Sequence, residues 1–242
     1  MKVVGGILGG LIVLAILGSL VQGGAENGGG RERLAVTEQT PASSPNQPET
    51  STREEEAAPT PTPTPSANPR TWRGVGDKVV KVKETEDVLL ATLTHGGGSN
   101  FIVNPLDPGG AEQATIVNEI GGYKGTVLVN EDAGKVLRGF KIQADGAWTL
   151  TLKPLDMARR WAGDRVSGRG DEVLLLSPKS EGLTTVKADH SGSSNFIVHA
   201  YGGTDQDTLV NEIGSYRGEV LLPDGTVLIG VHADGRWTFI RQ

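Results

Sequence analysis

The chain contains no cysteine. This absence excludes disulfide bonds, thiolate metal ligands and lipid attachment at an N-terminal cysteine. Three catalytic motifs are also missing: Gly-x-Ser-x-Gly, His-Glu-x-x-His, and a phosphate-binding glycine loop followed by Lys and Ser or Thr. Positive charge is not in excess, since the net charge is −6, and no basic stripe marks a nucleic-acid surface. We therefore predict no catalysis, no cofactor, no metal site and no nucleic-acid partner.

Long amphipathic helical patterns are absent as well. The best candidate, residues 155–162, is short. It lies between two repeated segments, and we expect a connector of one or two helical turns there. Elsewhere after residue 70, apolar residues alternate or cluster in runs of four to seven, separated by turn residues. Such runs are typical of strands, and the Asp-Gly dipeptides at 145–146 and 234–235 favour two-residue hairpins.

The N-terminal residues 3–21 carry no charge and are rich in Ile, Leu, Val and Gly. A helix of this length rises roughly 28 Å, about the thickness of the hydrocarbon core of a bilayer. We expect residues 1–23 to form a single-pass membrane anchor with the C-terminal domains outside the cytoplasm. A signal peptide cleaved near residues 23–25, followed by secretion, is the alternative.

Residues 24–70 are rich in Pro, Thr, Ser, Glu and Gly and almost lack large apolar side chains. Such a segment cannot bury enough surface to offset its chain entropy, so a disordered linker is predicted. The Thr-Pro tract at 59–65 is expected to be extended, in polyproline II geometry.

The second half of the remaining chain repeats the first. Three blocks recur in the same order: Ser-Asn-Phe-Ile-Val at 99–103 and 194–198, Val-Asn-Glu-Ile-Gly at 117–121 and 210–214, and Ala-Asp-Gly-x-Trp-Thr at 144–149 and 233–238. We predict an all-β fold of two tandem small antiparallel β-sandwiches, jelly-roll-like, at residues 71–153 and 154–242.

The repeated blocks suggest roles for individual residues. Trp148 and Trp237 each follow a turn and start a terminal strand, so a core position is expected, and a stacking platform for sugar is the alternative. Asn118 and Asn211 are expected to brace turns through their side chains. Positive φ angles are predicted at the glycines that end the same block, Gly121 and Gly214.

Three runs of the first repeat are informative together: His-Gly-Gly-Gly-Ser-Asn-Phe at 95–101, Asn-Glu-Ile-Gly-Gly-Tyr-Lys-Gly at 118–125 and Ala-Asp-Gly-Ala-Trp-Thr at 144–149. With these runs, the first repeat resembles a module of exported and membrane-anchored bacterial proteins, largely actinobacterial. The second repeat has matching runs. The resemblance implies β architecture and an extracytoplasmic setting. The function of that group is not established, so no activity or site residue follows from the resemblance.

Candidate binding residues come from the repeated positions that carry polar or aromatic groups. A histidine can bind a ligand or metal through its imidazole, but without a neighbouring Cys or second His it is more typical of a braced turn. The candidates are His95, His190, Asn100, Asn195, Tyr123 and Tyr216.

Two further patterns are weaker. Acidic residues cluster in one loop of each repeat, Asp107 with Glu112 and Asp205 with Asp207, but neither loop has the spacing of a known calcium loop. Residues 169–171 spell Arg-Gly-Asp, a cell-adhesion tripeptide. Because the first repeat keeps only the Gly-Asp pair, a turn explains it better.

These observations favour a membrane-anchored binding or surface-interaction protein without catalysis. The expected partners are the membrane, through the N-terminal helix, and a cell-wall glycan or surface protein. A pair of carbohydrate-binding modules, with Tyr123, Tyr201 and Tyr216 as platforms, is the first alternative. An enzyme with an unrecognised site is the second.

Overall fold

A computed structural model describes residues 68–132, 134–202 and 205–242. Within them the fold is all-β, with antiparallel sheets of β-sandwich-like character, so the predicted fold class is confirmed at that level. The predicted anchor at 1–23 and nearly all of the predicted linker lie outside the described residues. None of the helical turns in the described part has the length and apolar character that crossing a bilayer requires.

The first half contains eight strands: β1 Arg70–Val75, β2 Lys78–Thr85, β3 Leu89–His95, β4 Asn100–Leu106, β5 Val117–Ile120, β6 Tyr123–Val129, β7 Leu137–Ala144 and β8 Ala147–Pro154. They form two antiparallel sheets, with strand orders β1-β8-β3-β6 and β2-β7-β4-β5. Buried and exposed residues alternate along most strands, as in β8, because successive side chains point to opposite faces.

The second half repeats this order. Its strands are β9 Arg159–Trp161, β10 Arg165–Arg169, β11 Glu172–Leu176, β12 Thr184–Ser191, β13 Asn195–Gly202, β14 Asp205–Ile213, β15 Tyr216–Leu222, β16 Leu228–Ala233 and β17 Arg236–Arg241. The sheets have orders β10-β17-β12-β15 and β14-β13-β16-β11-β9. Strands β10 to β17 therefore occupy the places of β1 to β8, and β9 is additional.

Each half has its own apolar core between its sheets. Trp148 is 2% exposed and Trp237 is 1% exposed. The core assignment of both tryptophans is confirmed, and neither ring is available as a platform for sugar. Gly121 and Gly214 have φ angles of 89° and 90°, as predicted for the ends of their block.

The connector between the halves differs from the expected helical turns. One 3₁₀ turn, Leu155–Met157, is followed by β9, which pairs in parallel with β11. Trp161 at the end of β9 is 2% exposed and belongs to the second core. The connector is therefore largely an edge strand of the second half, because the Trp161 ring gains more from burial than a short helix would from its own hydrogen bonds.

The two halves also pack against each other. A small buried apolar cluster joins Leu90 and Leu128 of the first half to Val173 and Leu228 of the second. Beside it, the backbone amide of Thr126 donates to the carbonyl oxygen of Asp171 at 2.9 Å. These contacts hold β6 against β11 and position the cleft described next.

Candidate functional site: the cleft between the two halves

A cleft of about 510 Å³ lies between the two halves. Its first wall comes from the segment around β5 and from β6, including Asn118 and Val127. The facing surface comes from β11, β13 and β16 of the second half. Because side chains alternate along a strand, one face of β13 presents Asn195, Ile197, His199 and Tyr201 to the cleft in sequence.

The second repeat departs from the first at these cleft positions. Phe101 pairs with Ala144 and Phe196 pairs with Ala233, which fixes the equivalence of the two sheets. Counting along the strands from these pairs, His199 replaces Asn104, Tyr201 replaces Leu106 and His232 replaces Gln143. The inward-facing core residues at the same strands remain apolar in both halves. The cleft surface of the second half therefore carries two histidines and a tyrosine that the first half lacks at the equivalent positions.

Tyr201 crosses the cleft between the halves. Its hydroxyl donates to Oε2 of Glu131 at 2.8 Å. Burial, and secondarily the Glu131 carboxylate, raises the pKa of this hydroxyl, so it stays protonated. The ring lies close to Gly230, where an added Cβ would be 3.2 Å from Cε2 of Tyr201. In the first half a lysine, Lys141, occupies the equivalent position.

His199 lies beside Tyr201, with ring centroids 6.3 Å apart in an edge-on arrangement. Its Nδ1 is 3.2 Å from Oγ1 of Thr208. Burial lowers the pKa of His199 below its usual value, which favours a neutral imidazole. The histidine is therefore a neutral hydrogen-bonding group with an exposed part toward the cleft.

A buried carboxylate, Asp171, anchors the inner end of this region. Its Oδ1 accepts hydrogen bonds from the amide of Ala233 and from Nδ1 of His232, both at 2.9 Å. Its Oδ2 accepts the Tyr123 hydroxyl of the other half at 2.7 Å. Nε2 of His232 is also 3.8 Å from Oε1 of Glu119. His232 thus bridges carboxylates contributed by both halves.

The Arg-Gly-Asp tripeptide at 169–171 ends in this carboxylate. Asp171 is only 6% exposed, so its side chain is not presented for adhesion. In the first half the equivalent Asp77 accepts the amide of Ala144 at 2.9 Å but is exposed. The retained role of the Gly-Asp pair is structural, in agreement with its interpretation as a turn.

The predicted histidine His95 is a brace for the neighbouring loops. Its Nδ1 donates to the carbonyl oxygen of Gly121 at 2.7 Å, and its Nε2 lies 3.2 Å from Oδ1 of Asp145. The imidazole stacks on Phe101 with a centroid separation of 4.6 Å and an interplanar angle of 6°. None of its side chain is exposed. A ligand cannot reach either ring nitrogen without rearrangement of these loops.

His190 repeats the arrangement in the second half. Nδ1 donates to the carbonyl oxygen of Gly214 at 2.8 Å, Nε2 is 3.4 Å from Oδ1 of Asp234, and the ring stacks on Phe196 at 4.4 Å. Two unconnected copies of one geometry indicate that the module requires it for folding.

Sequence reasoning missed the aspartates of these braces. Asp145 was interpreted only as part of a hairpin turn, yet its Oδ2 accepts the amides of Gly98 and Ser99, each at 3.0 Å. These amides, Gly98 first, lower the pKa of the Asp145 carboxyl. The sequence feature that could have predicted this contact is that both repeats retain the Asp-Gly turn together with the histidine and glycine that precede the Ser-Asn-Phe block.

Asp234 has the same role in the second half. Its Oδ2 accepts the amides of Ser193 at 2.8 Å and Ser194 at 3.0 Å. Burial by itself raises the pKa of this carboxyl, but the hydrogen bonds from Ser193 and Ser194 together hold it below its usual value.

The other four candidates do not converge on one site. Tyr123 and Tyr216 are half-buried, each with its ring 5.7 Å from the phenylalanine of its own half. Asn100 and Asn195 are both exposed, and only Asn195 lines the cleft. Each half therefore keeps its own His–Phe–Tyr stack, and the cleft is built mainly from residues outside the predicted set.

The asparagines of the second repeated block also differ from expectation. Asn118 and Asn211 are exposed, and their side-chain amides make no hydrogen bond within residues 68–132, 134–202 and 205–242. The predicted side-chain bracing of the turn is wrong. The turn is closed instead by backbone bonds, in which the amides of Gly121 and Gly214 donate to the carbonyl oxygens of Ser99 and Ser194.

The acidic loop of the first half holds its charges in protein contacts. Glu112 pairs with Lys141 and accepts a hydrogen bond from Asn104 at 2.7 Å. Asp107 accepts the amide of Ala111 at 2.8 Å. Over the described ranges, no group of three or more His, Asp or Glu side chains is arranged to hold a metal ion.

No family model matches the chain, and no curated protein matches it either. The class that the fold defines is an all-β, β-sandwich-like protein with an internal repeat. Its candidate site is the cleft between the repeats.

The bridge at His232 predicts a pH dependence of stability. The hydrogen bond to Asp171 raises the pKa of His232, and the carboxylates of Glu119 and Asp234 add to the effect while burial opposes it. When the pKa of a histidine is higher in the folded state than in the unfolded state, its protonation stabilises the fold. This contribution is complete at pH values below the unfolded pKa of about 6.5, and it is lost as the pH rises through the folded pKa.

We therefore expect His232→Gln, the side chain of the first repeat, to reduce stability at acidic pH more than at alkaline pH. Urea melts of both proteins from about pH 5.5 to about 8.5 span the ordinary histidine pKa and measure the difference. Nearby His199 is also titratable, so His199→Asn serves as the control for its contribution. A difference that grows as the pH rises would contradict the prediction.

Proposed function

We propose that the chain is a non-catalytic binding protein of the cell envelope and that its ligand occupies the cleft between the two halves. The observation that carries this proposal is a set of side chains that differ between equivalent positions of the two repeats and that line the cleft. His199, Tyr201 and His232 replace Asn104, Leu106 and Gln143 on the surface of the second half that faces the first. A module that diverges at a cleft while keeping its core is expected when the cleft acquires a ligand.

The proposed absence of catalysis is supported by the retained polar residues. In both repeats the buried histidine faces a backbone carbonyl through one ring nitrogen and a carboxylate through the other. Both histidine side chains are fully buried, so a substrate cannot reach either ring nitrogen as a general base. The cleft histidines lie next to hydroxyls and carboxylates that are already engaged with each other, which is the arrangement of a binding surface.

We propose the setting from the N-terminal sequence. A membrane anchor in residues 1–23 and a Pro/Thr/Glu-rich linker would hold the folded part outside the cytoplasm, away from the bilayer. Secretion after cleavage is the alternative. We further propose that each half is a jelly-roll-like β-sandwich module, because each has eight corresponding strands in two sheets around one core.

Within this binding function, carbohydrate is the ligand class that one observation favours. Of the three tyrosines considered as platforms, Tyr201 lines the cleft, whereas the Tyr123 hydroxyl is bound by Asp171. An enzyme with an unrecognised site is less favoured, since His199, Tyr201 and His232, which line the cleft, have no titratable counterpart in the first repeat.

The test is a binding screen with the full-length protein in detergent against cell-wall fragments, glycans and envelope surface proteins. We expect the protein to bind at least one of these ligands. We also expect Tyr201→Leu, which introduces the side chain of the first repeat, to abolish that binding. Its matched control is Leu106→Tyr on the equivalent strand of the first half. Wild-type binding by a folded Tyr201→Leu variant would refute the cleft as the site.

A further inference from the structure

We infer that the ligand of the cleft is an uncharged, hydroxyl-rich chain, that is, a neutral glycan. This inference rests on the proposed function and specifies the chemistry of the same site. It follows from the charges that line the cleft, the hydrogen-bonding groups left free there, and the apolar surface between them.

The charges of the lining argue first against an anionic ligand. Among the described residues that line the cleft there is no lysine or arginine. An anionic polymer or phosphate would therefore meet no compensating cation. Of the carboxylates, Glu172 is engaged by Arg159 at 3.1 Å and Glu131 by the Tyr201 hydroxyl at 2.8 Å. Arg159 balances the charge of Glu172, whereas Glu131 keeps its charge with one oxygen occupied by the Tyr201 hydroxyl, so among the described lining residues a cation would find a single unbalanced carboxylate.

His232 does not change this balance. Its two ring nitrogens face Asp171 and Glu119. Any positive charge on the ring is thus matched by carboxylates of the protein itself.

The free polar groups are amides. Asn118 on the first half and Asn195 on the second both line the cleft and are exposed, and neither side chain has a hydrogen-bond partner within the described ranges. Each amide offers two donors and an acceptor, which suits a hydroxyl because a hydroxyl both donates and accepts. Nε2 of His199 adds a third polar position, since Nδ1 of the same ring lies 3.2 Å from the Thr208 hydroxyl.

The surface between these groups is apolar or aromatic. Ile116 and Val127 lie on one wall, and Ile197 and the Tyr201 ring lie on the other. A sugar ring has apolar faces and hydroxyls at its edge, so it matches an aromatic and aliphatic surface flanked by amides. The volume of about 510 Å³ falls within the range of about 300–1,000 Å³ typical of ligand clefts.

The repeat supplies matched controls for each amide. Asn211 is the counterpart of Asn118, and Asn100 is the counterpart of Asn195. Both counterparts are exposed and lie outside the cleft. All four side chains are exposed, so alanine substitutions are expected to leave the fold intact.

The experiment measures affinity of the full-length protein in detergent for a panel of neutral oligosaccharides, uronic-acid oligosaccharides and uncharged peptides. We expect binding of a neutral oligosaccharide, weakened about three- to tenfold by Asn118→Ala and by Asn195→Ala. The controls Asn211→Ala and Asn100→Ala are expected to bind as the wild type does.

The possible results test the neutral-glycan inference separately from the proposal that the cleft is the binding site. Preference for acidic glycans or peptides, with binding abolished by Tyr201→Leu, would overturn the neutral-glycan inference and leave the cleft as the site. The absence of binding to every neutral oligosaccharide would also overturn it. Binding that responds equally to cleft and control variants would overturn both proposals.

Discussion

Trp237→Ala is expected to lower the free energy of unfolding by about 3–5 kcal/mol, the usual cost of removing a buried tryptophan. The ring is 1% exposed, and its Nε1–H donates to the carbonyl oxygen of Gly170 at 2.9 Å. It packs on Phe239 with a centroid separation of 5.1 Å. Since small domains are stable by only about 5–15 kcal/mol, the loss would be a large part of the total.

Urea or thermal melts measure this effect. Trp148→Ala in the first half should behave similarly, because Trp148 makes the equivalent bond to the carbonyl oxygen of Gly76 at 2.9 Å. Leu183→Ala, at a side chain that is 86% exposed, is the control and should change stability by less than about 0.5 kcal/mol. An unchanged midpoint for Trp237→Ala would contradict the expected contribution of the buried ring to stability.

The second large effect is expected at the glycine of the Asp-Gly turn. A Cβ added at Gly146 would lie 2.5 Å from both Cα and N of Gly97, which are backbone atoms that cannot rotate away. Gly146→Ala should therefore separate the turn from the His-Gly loop and cost about 1–3 kcal/mol through overpacking. The φ angle of Gly146 is not in the left-handed region, so this close approach, rather than hairpin geometry, is the reason for glycine.

Gly98→Ala is the matched control within the same loop, because a Cβ there meets no atom within 4 Å. Its effect should stay within about 0.5 kcal/mol. Gly235→Ala provides a replicate in the second half, where the added Cβ would lie 2.4 Å from the carbonyl oxygen of Ser191. Equal stability of Gly146→Ala and Gly98→Ala in urea melts would contradict the tight contact between turn and loop.

The local sequence pattern was sufficient to predict the strands and the core positions of the two tryptophans. Core positions were predicted for Trp148 and Trp237, and both are buried, as are Leu150 and Phe239 two residues further along the same strands. The period of a strand is a local property, because successive side chains must point to opposite faces. The two-residue hairpin at 145–146 was also readable, since β7 ends at Ala144 and β8 begins at Ala147.

The roles of polar residues were less accessible from sequence. Asn118 was expected to brace a turn but is free and exposed, whereas Asp145 proved to be the brace for a loop far from it in sequence. His95 was a candidate for ligand binding, but a carbonyl, a carboxylate and the Phe101 ring enclose it. A polar side chain can satisfy its hydrogen bonds with any group that the fold brings near, and sequence spacing does not reveal that group.

The sequence by itself determined the all-β class, the repeat, and the apolar residues that form the cores, because these depend on periodicity and on residue type. Only the tertiary structure decided that His199, Tyr201 and His232 face the first half, and that Asp171 binds Tyr123 across the junction at 2.7 Å. Each of these contacts joins residues widely separated in the chain. Their geometry follows from how two folded halves pack together, a relation that no local pattern encodes.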